Sequence, residues 1–402
     1  MISKKNTVVD LFAGAGGMSE GFVQAGFNII GANEIIKSCA DTYQFNHKET
    51  KIFIGDVRKI LVEQFQKECR IDGNKVDIII GGPPCQGFSN ANRQRFIDDP
   101  RNELYKYFVK FVKELKPSFF VMENVRGMQN IAGQIVEDFR KAGYTSKYKI
   151  LNAKNFGIPQ NRQRIFFIGT NINGDFWQDS VIIDKIFSGI EQNKSKNIIP
   201  LSDALWGLRK VKPKPNKNMT NKESEEFGFT EDFIIKSKKA APDYILKINR
   251  GKFPYKVFNH KTRYNNKRDI EIFRRLPQGG KSDHPSIQDI MPYKKRNHIF
   301  KDKFHKLVYD APCKTITAHM KFDCHMYIHP FEARGLTPRE AARVQGFPDD
   351  YFFQGPFTSW YMQVGNAVPP PLAYIIAKNI LTRIEHKTTK VKGGQLHETE
   401  IY

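Results

Sequence analysis

The chain has 402 residues, 40% of them hydrophobic and 26% charged, which is the composition of a soluble globular protein of two domains or of one domain with an insertion. The net charge of +22 favours a polyanionic partner, nucleic acid before an anionic membrane surface, and no apolar run approaches the roughly 18 residues of a membrane span. The cysteines form no CxxC pair, which argues against a disulfide framework and a metal site: Cys39, Cys69, Cys85, Cys313 and Cys324. Residues 1–6 lack the apolar core of a signal peptide, so we expect a cytoplasmic protein.

The first predicted unit is a strand, a glycine-rich turn and a helix. Residues 7–12 are mostly apolar, residues 13–17 read Ala-Gly-Ala-Gly-Gly, and a helical pattern continues to about Gly26. This succession is typical of a nucleotide-binding α/β fold, in which glycines let the backbone approach a cofactor. The spacing is not G-x-G-x-x-G, so a dinucleotide is not the first expectation, and ordinary tight turns use the same residues.

Acidic residues follow the next two predicted strands. The run 27–32 leads to Glu34, and the run 52–55 leads to Asp56. An acid at the end of the second strand of such a fold is placed to bind ribose hydroxyls, and a second acid suggests that an adenine amino group is read. Because no Walker-type Lys-Ser/Thr is present, we expect an adenosine cofactor without a phosphate chain.

A cysteine stands on a rigid turn after the fourth predicted strand. The buried run 76–80 ends abruptly at Gly81-Gly82-Pro83-Pro84, and Cys85 follows. Parallel sheets bind ligands at the carboxyl ends of their strands, so this thiol is placed as a presented nucleophile. A loop cysteine without a role is the alternative that the turn alone leaves open.

The polar residues 90–102 are either a mobile lid over an anionic substrate or an ordinary solvated loop. A helix over 103–115 and a strand over 118–122 lead to Glu123. Two more strands, at 148–151 and 166–169, flank a segment that contains Arg162 and Arg164. Side chains two positions apart on a strand point to the same face, so the two arginines form either an exposed basic stripe or part of an active site.

The character of the sequence changes after about residue 172. Residues 194–306 contain 28 Lys and Arg against 12 Asp and Glu, with interleaved aromatic residues. This composition predicts a separate, irregular domain that binds a polyanion. Beyond it we predict a strand over 314–318, a helix over 337–344 capped by Thr337 with Pro338 at its first position, an apolar helix over 372–384 and a polar tail.

With these residues in view, the chain resembles the prokaryotic C5-cytosine DNA methyltransferases. Six blocks carry the resemblance, in family order: DLFAGAGG at 10–17, GPPCQGFS at 82–89, ENV at 123–125, QNRQR at 160–164, REAARVQGFP at 339–348 and QVGNAVP at 363–369. They lie within residues 8–375, and the basic region lies where that family keeps its target-recognition domain.

The resemblance implies an α/β fold with a doubly wound, mostly parallel sheet, that of class I S-adenosylmethionine-dependent methyltransferases, and a smaller irregular DNA-recognition domain. The expected divisions are a catalytic domain at 1–180, a recognition domain at 181–335, a return segment at 336–385 and a tail at 386–402. The expected cofactor is S-adenosylmethionine. The expected partner is double-stranded DNA, with no membrane or metal, bound by a monomer that serves a restriction-modification system in the bacterial cytoplasm.

The expected reaction needs a thiolate, because carbon 5 of cytosine becomes nucleophilic only after addition at carbon 6. By resemblance this thiolate is Cys85, Glu123 donates a proton or hydrogen bond at ring nitrogen 3, and Arg164 with Arg162 holds oxygen 2. The target atom is unreachable inside a duplex, so the cytosine must be flipped out. The base that removes the carbon-5 proton is not identified, and a water molecule is a plausible one.

The resemblance also assigns binding residues. The cofactor set is Phe12, Gly14, Gly16, Glu34, Asp56, Val57, Pro83, Leu104, Asn366 and Ala367. Asn366 comes from far along the chain, so the last helix should pack back onto the N-terminal sheet. The DNA-binding set is Ser89, Thr315 and Ile316.

Three other functions were weighed. An RNA C5-methyltransferase of the same family would carry a Cys-Phe-Thr motif, and an amino-group methyltransferase would need Asp/Asn-Pro-Pro-Tyr/Phe; neither is present. A catalytically dead DNA-binding regulator is disfavoured because Cys85, Glu123 and Arg164 are all retained. The DNA sequence recognised does not follow from the residues, because basic side chains contact phosphates and bases alike.

Overall fold

The computed structural model describes residues 6–71, 76–84, 103–214, 216, 231–232, 241–253, 256–292 and 303–393. Cys85, Ser89, the predicted lid at 90–102 and the end of the tail lie outside the described residues.

The centre of the molecule is a seven-stranded sheet in the order β3-β2-β1-β4-β5-β8-β6. The strands of the described residues, in chain order, are β1 Thr7–Leu11, β2 Asn28–Glu34, β3 Lys51–Ile54, β4 Ile78–Gly81, β5 Phe119–Val125, β6 Thr145–Asn152, β7 Gln160–Asn161, β8 Gln163–Thr170, β9 Glu231–Asp232, β10 Lys256–Val257 and β11 Cys313–Lys314. Outside the central sheet, β7 pairs with β11 and β9 pairs with β10. β1 to β5 are parallel, whereas β8 runs antiparallel to both β5 and β6. The predicted doubly wound, mostly parallel sheet is confirmed.

Helices cover both faces of the sheet. They are α1 Gly17–Gln24, α2 Lys37–Asn46, α3 Val62–Glu68, α4 Leu104–Leu115, α5 Ala132–Lys141, α6 Phe176–Gln192, α7 Leu201–Leu205, α8 Asp243–Ile248, α9 Lys267–Arg275, α10 Pro338–Val344, α11 Phe357–Asn366 and α12 Pro370–Gly393. Alternate residues of the strands point to opposite faces. Val8 and Ile80 therefore pack with α1, α6 and α12, while Val9 and Ile79 pack with α3, α4 and α5.

The last helix packs back onto the N-terminal half, as predicted. Gly21 of α1 allows this close approach, since a Cβ there would lie 2.5 Å from both the Ala373 side chain and the Pro370 carbonyl oxygen. A mixed core of α7, α8, α10 and α11 joins the sheet to the basic region, which has a small apolar cluster of its own around α9. The start of α10 is capped as expected: Thr337 and Glu340 form a reciprocal capping box, with Pro338 at the first position.

One predicted domain boundary falls inside a helix, and one predicted strand is shorter in the structure. The expected division between residues 180 and 181 falls inside α6, whose apolar side packs against β6 and α12, so we propose that the catalytic domain extends through Gln192. The predicted strand at 314–318 is only two residues long, Cys313–Lys314, because the Ile316 N–H donates to the Gln160 side chain and the chain then forms a short 3₁₀ helix, Ala318–Lys321.

Candidate active site

Glu123 and Arg164 form a buried ion pair at the carboxyl edge of the sheet. In the antiparallel ladder of β5 and β8, Val125 is opposite Arg164, so Arg164 is the diagonal neighbour of Glu123 on the same face. Arg164 Nε lies 3.0 Å from Glu123 Oε1, and their side chains are 17% and 10% exposed. Burial raises the pKa of Glu123 above its ordinary value, although the two nearby arginines favour the ionised carboxylate. The pair thus places a carboxyl that holds protons unusually well beside a fixed guanidinium.

The turn after β4 lies directly against this pair. A Cβ on Gly82 would be 3.1 Å from Glu123 Oε2, and the Asn124 amide donates a 2.8 Å hydrogen bond to the Pro83 carbonyl. The described part of the turn ends at Pro84, and the candidate nucleophile Cys85 is the next residue in the chain. The structure therefore brings the residues before Cys85 to Glu123 and Arg164.

Arg162 is fully buried, and its guanidinium is engaged by backbone carbonyls. It donates to Ile316 at 2.8 Å, to Gly365 at 3.2 Å and to Ala367 at 3.0 Å. These contacts tie the residue before β8 to the segment that follows β11 and to the end of α11. They give Arg162 a positioning role in the described structure, whereas Arg164 is the arginine that reaches Glu123.

The glycine-rich turn and Glu34 form one hydrogen-bonded unit. Phe12, Gly14 and Gly16 all have positive φ, of 57°, 56° and 87°. A Cβ on Gly14 would meet nothing within 4 Å, so this turn leaves open space beside its backbone. The Glu34 carboxylate accepts from the backbone N–H of Gly14 at 2.8 Å and of Ile36 at 2.7 Å. Its remaining lone pairs can accept hydroxyl groups such as those of a ribose.

Sequence reasoning missed the apolar neighbour of Glu34. Ile35 is 61% exposed and Ile36 39% exposed, at the same strand end as the glycine-rich turn. An exposed aliphatic side chain next to a buried carboxylate is a surface on which a flat base can lie. Two isoleucines directly after the predicted ribose-binding acid were the available signal.

Asp56 follows a strand end next to that of Glu34, but its carboxylate is already bound by Arg58. Gly55 donates its N–H to the Glu34 carbonyl at 2.9 Å, which sets the two strand ends together. Arg58 binds the Asp56 carboxylate through Nε at 2.9–3.0 Å, and this hydrogen bond lowers the pKa of Asp56. An adenine amino group would have to share this carboxylate with Arg58.

The other expected cofactor residues surround the same edge. Phe12 and Leu104 are partly buried against one apolar cluster, to which the buried Val57 also belongs. Ala367 packs within 3.0 Å of where a Cβ on Gly17 would lie, and Asn366 is exposed at the end of α11. The polar groups at this edge are carboxylates and backbone groups, with open space and apolar surfaces between them. This arrangement fits an adenosine cofactor without phosphates.

Thr315 and Ile316, the two described residues of the expected DNA-binding set, differ in their exposure to solvent. Thr315 is partly exposed and donates its hydroxyl to the Asn161 carbonyl at 2.7 Å. Ile316 is fully buried, its N–H donates to Gln160 and its carbonyl accepts from Arg162. The Ile316 side chain is thus buried in the described structure, and a contact of this residue with DNA stays a prediction. Ser89 lies outside the described residues.

The model of the C-5 cytosine-specific DNA methylase family matches residues 6–382. The chain belongs to this family. It is a DNA cytosine methyltransferase, and the resemblance inferred from the sequence is confirmed.

Curated relatives and a solved structure agree with the assignment of this methyltransferase. The chain is 34% identical to the type II methyltransferase M.DdeI of Desulfomicrobium norvegicum, over 93% of this chain and 88% of the relative. It is 33% identical to M1.HphI of Haemophilus parahaemolyticus, over 93% and 86%. A prophage-encoded E. coli protein, described as a DNA modification methyltransferase, superposes with a TM-score of 0.72 at 26% identity over 95% of this chain and 100% of that one.

Within the described residues of the methyltransferase, no helix is long and apolar enough to cross a membrane. The same part of the chain contains no group of three or more His, Cys, Asp or Glu residues placed to hold a metal ion.

A buried carboxyl beneath the glycine-rich turn was also missed. Asp10 is 1% exposed and accepts a 2.7 Å hydrogen bond from the Ser19 hydroxyl, which lies 2.6 Å from the Tyr43 hydroxyl. Burial raises the pKa of Asp10 to about 8, Ser19 opposes this shift, and the charge of Glu34 adds to it. The sequence places Asp10 inside the apolar run 7–12 and at the start of the block DLFAGAGG, but the interpretation of the sequence gave it no role of its own.

Asp10 makes the stability of the methyltransferase depend on pH. Its pKa rises from 3.8 to about 8, so between these values the folded protein keeps a proton that the unfolded chain has released. Stability therefore falls as the pH rises through this window, and the loss is complete above about pH 8. From pH 6 to pH 8 we expect the wild type to lose about 2 kcal/mol of unfolding free energy relative to Asp10→Asn. Urea unfolding at both pH values measures this difference, and a constant difference would contradict it.

Proposed function

We propose that the protein transfers a methyl group from S-adenosylmethionine to carbon 5 of a cytosine flipped out of double-stranded DNA, through a transient bond between Cys85 and carbon 6 of the base. The observation that carries the proposal is the buried Glu123–Arg164 pair against the turn that leads into Cys85. Methylation at carbon 5 of a pyrimidine needs a nucleophile, a proton donor and a cation in one place. At this edge of the sheet, Glu123 can donate the proton, Arg164 is the cation, and the residues just before the nucleophile Cys85 lie beside them.

The roles follow from the chemistry of the ring. The Cys85 thiolate adds to carbon 6 and breaks the aromatic system, so electron density gathers at carbon 5 and at nitrogen 3. Glu123, whose pKa is raised by burial, donates its proton or a hydrogen bond toward nitrogen 3. Arg164 stabilises the negative charge that develops on exocyclic oxygen 2 of the base and keeps Glu123 oriented. Carbon 5 then forms a bond to the sulfonium methyl group, whose former bond to sulfur breaks with its electron pair left on sulfur. Loss of the carbon-5 proton to a base finally expels the Cys85 thiolate and restores the ring.

The bound cofactor supplies an electrophilic methyl group on a sulfonium sulfur. Glu34 holds its ribose, Ile35 and Phe12 flank its base, and the glycine-rich turn leaves room for its amino-acid part. Asp56, Val57, Pro83, Leu104, Asn366 and Ala367 complete the proposed pocket.

The basic region is proposed to hold the DNA as the target-recognition domain. Its surplus of positive charge suits phosphate binding, and the core of α7, α8, α10 and α11 fixes it to the catalytic half. We further propose that the enzyme works as a monomer in the bacterial cytoplasm within a restriction-modification system, since its curated relatives are type II methyltransferases.

The test is methyl transfer to nucleic acid. Unmethylated plasmid DNA is incubated with the protein and radiolabelled S-adenosylmethionine, and bisulfite sequencing locates the product. We expect 5-methylcytosine at one short recurrent sequence. Transfer to RNA alone, or methylation of an exocyclic amino group, would contradict the proposal.

A further inference from the structure

An aromatic side chain stands exposed on the recognition side of the molecule. Phe322 is 66% exposed, at the end of the 3₁₀ helix Ala318–Lys321. A phenyl ring that is mostly exposed to water does not contribute the free energy that its burial would give. Single exposed apolar side chains are common on protein surfaces, so what distinguishes Phe322 is the way its backbone is held and the charges around its ring.

The backbone beneath the ring is held from several sides. Arg263 donates to the Met320 carbonyl at 2.7 Å and to the Phe322 carbonyl at 3.1 Å, and its guanidinium lies 5.5 Å from the Tyr361 ring. The Phe322 N–H donates to His319 at 2.9 Å. Hydrogen bonds to the backbone therefore fix the position of Phe322, while most of its side chain is exposed.

The surroundings of the ring are basic. Lys321 Nζ lies 4.7 Å from the centre of the Phe322 ring, and the His319 ring lies 5.4 Å away. The neighbouring acid, Asp323, lies 3.5 Å from Lys303, 3.7 Å from His325 and 3.9 Å from His319. An aromatic face flanked by cations is the combination with which proteins hold both the bases and the phosphates of nucleic acid.

The same segment is attached to the candidate active site. A Cβ on Gly365, just before Asn366, would lie 2.2 Å from the Thr317 carbonyl carbon, so the segment abuts the end of α11. The Ile316 carbonyl accepts from Arg162, two positions before Arg164 on the chain. Phe322 is thus carried by a segment anchored next to the proposed catalytic pair.

We propose that Phe322 inserts into the base stack of duplex DNA beside the target cytosine, while Lys321 and His319 contact the adjacent phosphates. Aromatic and apolar wedges that enter a base step offset part of the cost of unstacking, which base flipping must meet. This inference rests on the proposed function and deepens it by naming a residue that helps the base leave the helix.

The experiment compares Phe322→Ala with a matched control and a conservative variant. Phe331→Ala is the control, because Phe331 is 64% exposed in the same region but packs 4.8 Å from Tyr309 and is followed by Glu332. Phe322→Trp keeps a stacking ring. Duplexes that carry the site found by bisulfite sequencing are the substrates for methylation, and separate duplexes with 2-aminopurine in place of the target cytosine report base flipping. Thermal unfolding and S-adenosylmethionine titration check that each variant is folded.

We expect Phe322→Ala to lower kcat/KM for DNA by about 10-fold or more and to reduce the 2-aminopurine signal, with the affinity for S-adenosylmethionine unchanged. Phe331→Ala and Phe322→Trp should stay within about 3-fold of the wild type. A wild type that methylates DNA together with an unimpaired Phe322→Ala, or an equal loss in Phe331→Ala, would overturn the inference alone. A wild type that methylates no DNA would remove the proposed function and the inference with it.

Discussion

Cys85→Ser is expected to lower methyl transfer to DNA by at least roughly 10³-fold. A serine hydroxyl is far less ionised than a thiol at neutral pH, so the first addition to the cytosine ring no longer occurs at a useful rate. S-adenosylmethionine should bind as before, because its proposed contacts are on Phe12, Glu34 and the glycine-rich turn. Single-turnover methylation and calorimetric titration of the cofactor measure the two quantities.

A second cysteine variant serves as the control. Cys69, which directly follows α3, is buried and makes no part of the proposed site. Cys69→Ser should methylate DNA at nearly the wild-type rate. If Cys85→Ser kept full activity, the nucleophile would have to be another residue.

Glu123→Gln is expected to reduce kcat by about 10²–10³-fold while cofactor affinity stays unchanged. The amide keeps the shape of the carboxyl but cannot give up a proton, and it breaks the ion pair with Arg164. In the wild type the rate should fall as the pH rises through the raised pKa of Glu123, because the proton is then lost. The variant should lack that limb of the pH–rate profile.

Glu137→Gln is the matched control for this prediction. Glu137 is an exposed residue of α5 that pairs with Arg140, and its replacement should leave both the rate and the pH profile unchanged. Equal profiles for the wild type and Glu123→Gln would show that Glu123 does not donate the proton.

Much of the sheet followed from local sequence. Runs such as 76–80 and 118–122 are apolar on both faces because helices cover the sheet on each side, and such runs are short and end at glycine or an acid. The positions of Glu34 and Glu123 could be predicted for the same reason, since the carboxyl ends of parallel strands meet at one edge.

Long-range contacts could not be predicted in this way. The acceptors of Arg162 lie more than 150 positions along the chain, so a local pattern could not distinguish it from Arg164. The burial of Ile316 depends on Gln160 and on the core around α11, and the extension of α6 beyond residue 180 depends on its packing against α12. The sequence places Arg58 two positions after Asp56, but it does not show that the Arg58 guanidinium binds the Asp56 carboxylate.

Covalent trapping tests the central claim most directly. In duplex DNA with 5-fluorocytosine at the methylated position, carbon 5 carries fluorine in place of the proton that a base must remove. Cys85 therefore cannot be eliminated, and the enzyme should remain attached after one methyl transfer. We expect a denaturation-resistant complex that forms only with S-adenosylmethionine, whose peptide map places the methylated fluorocytosine on Cys85. The absence of such a complex, or a base attached to any other residue, would contradict the mechanism.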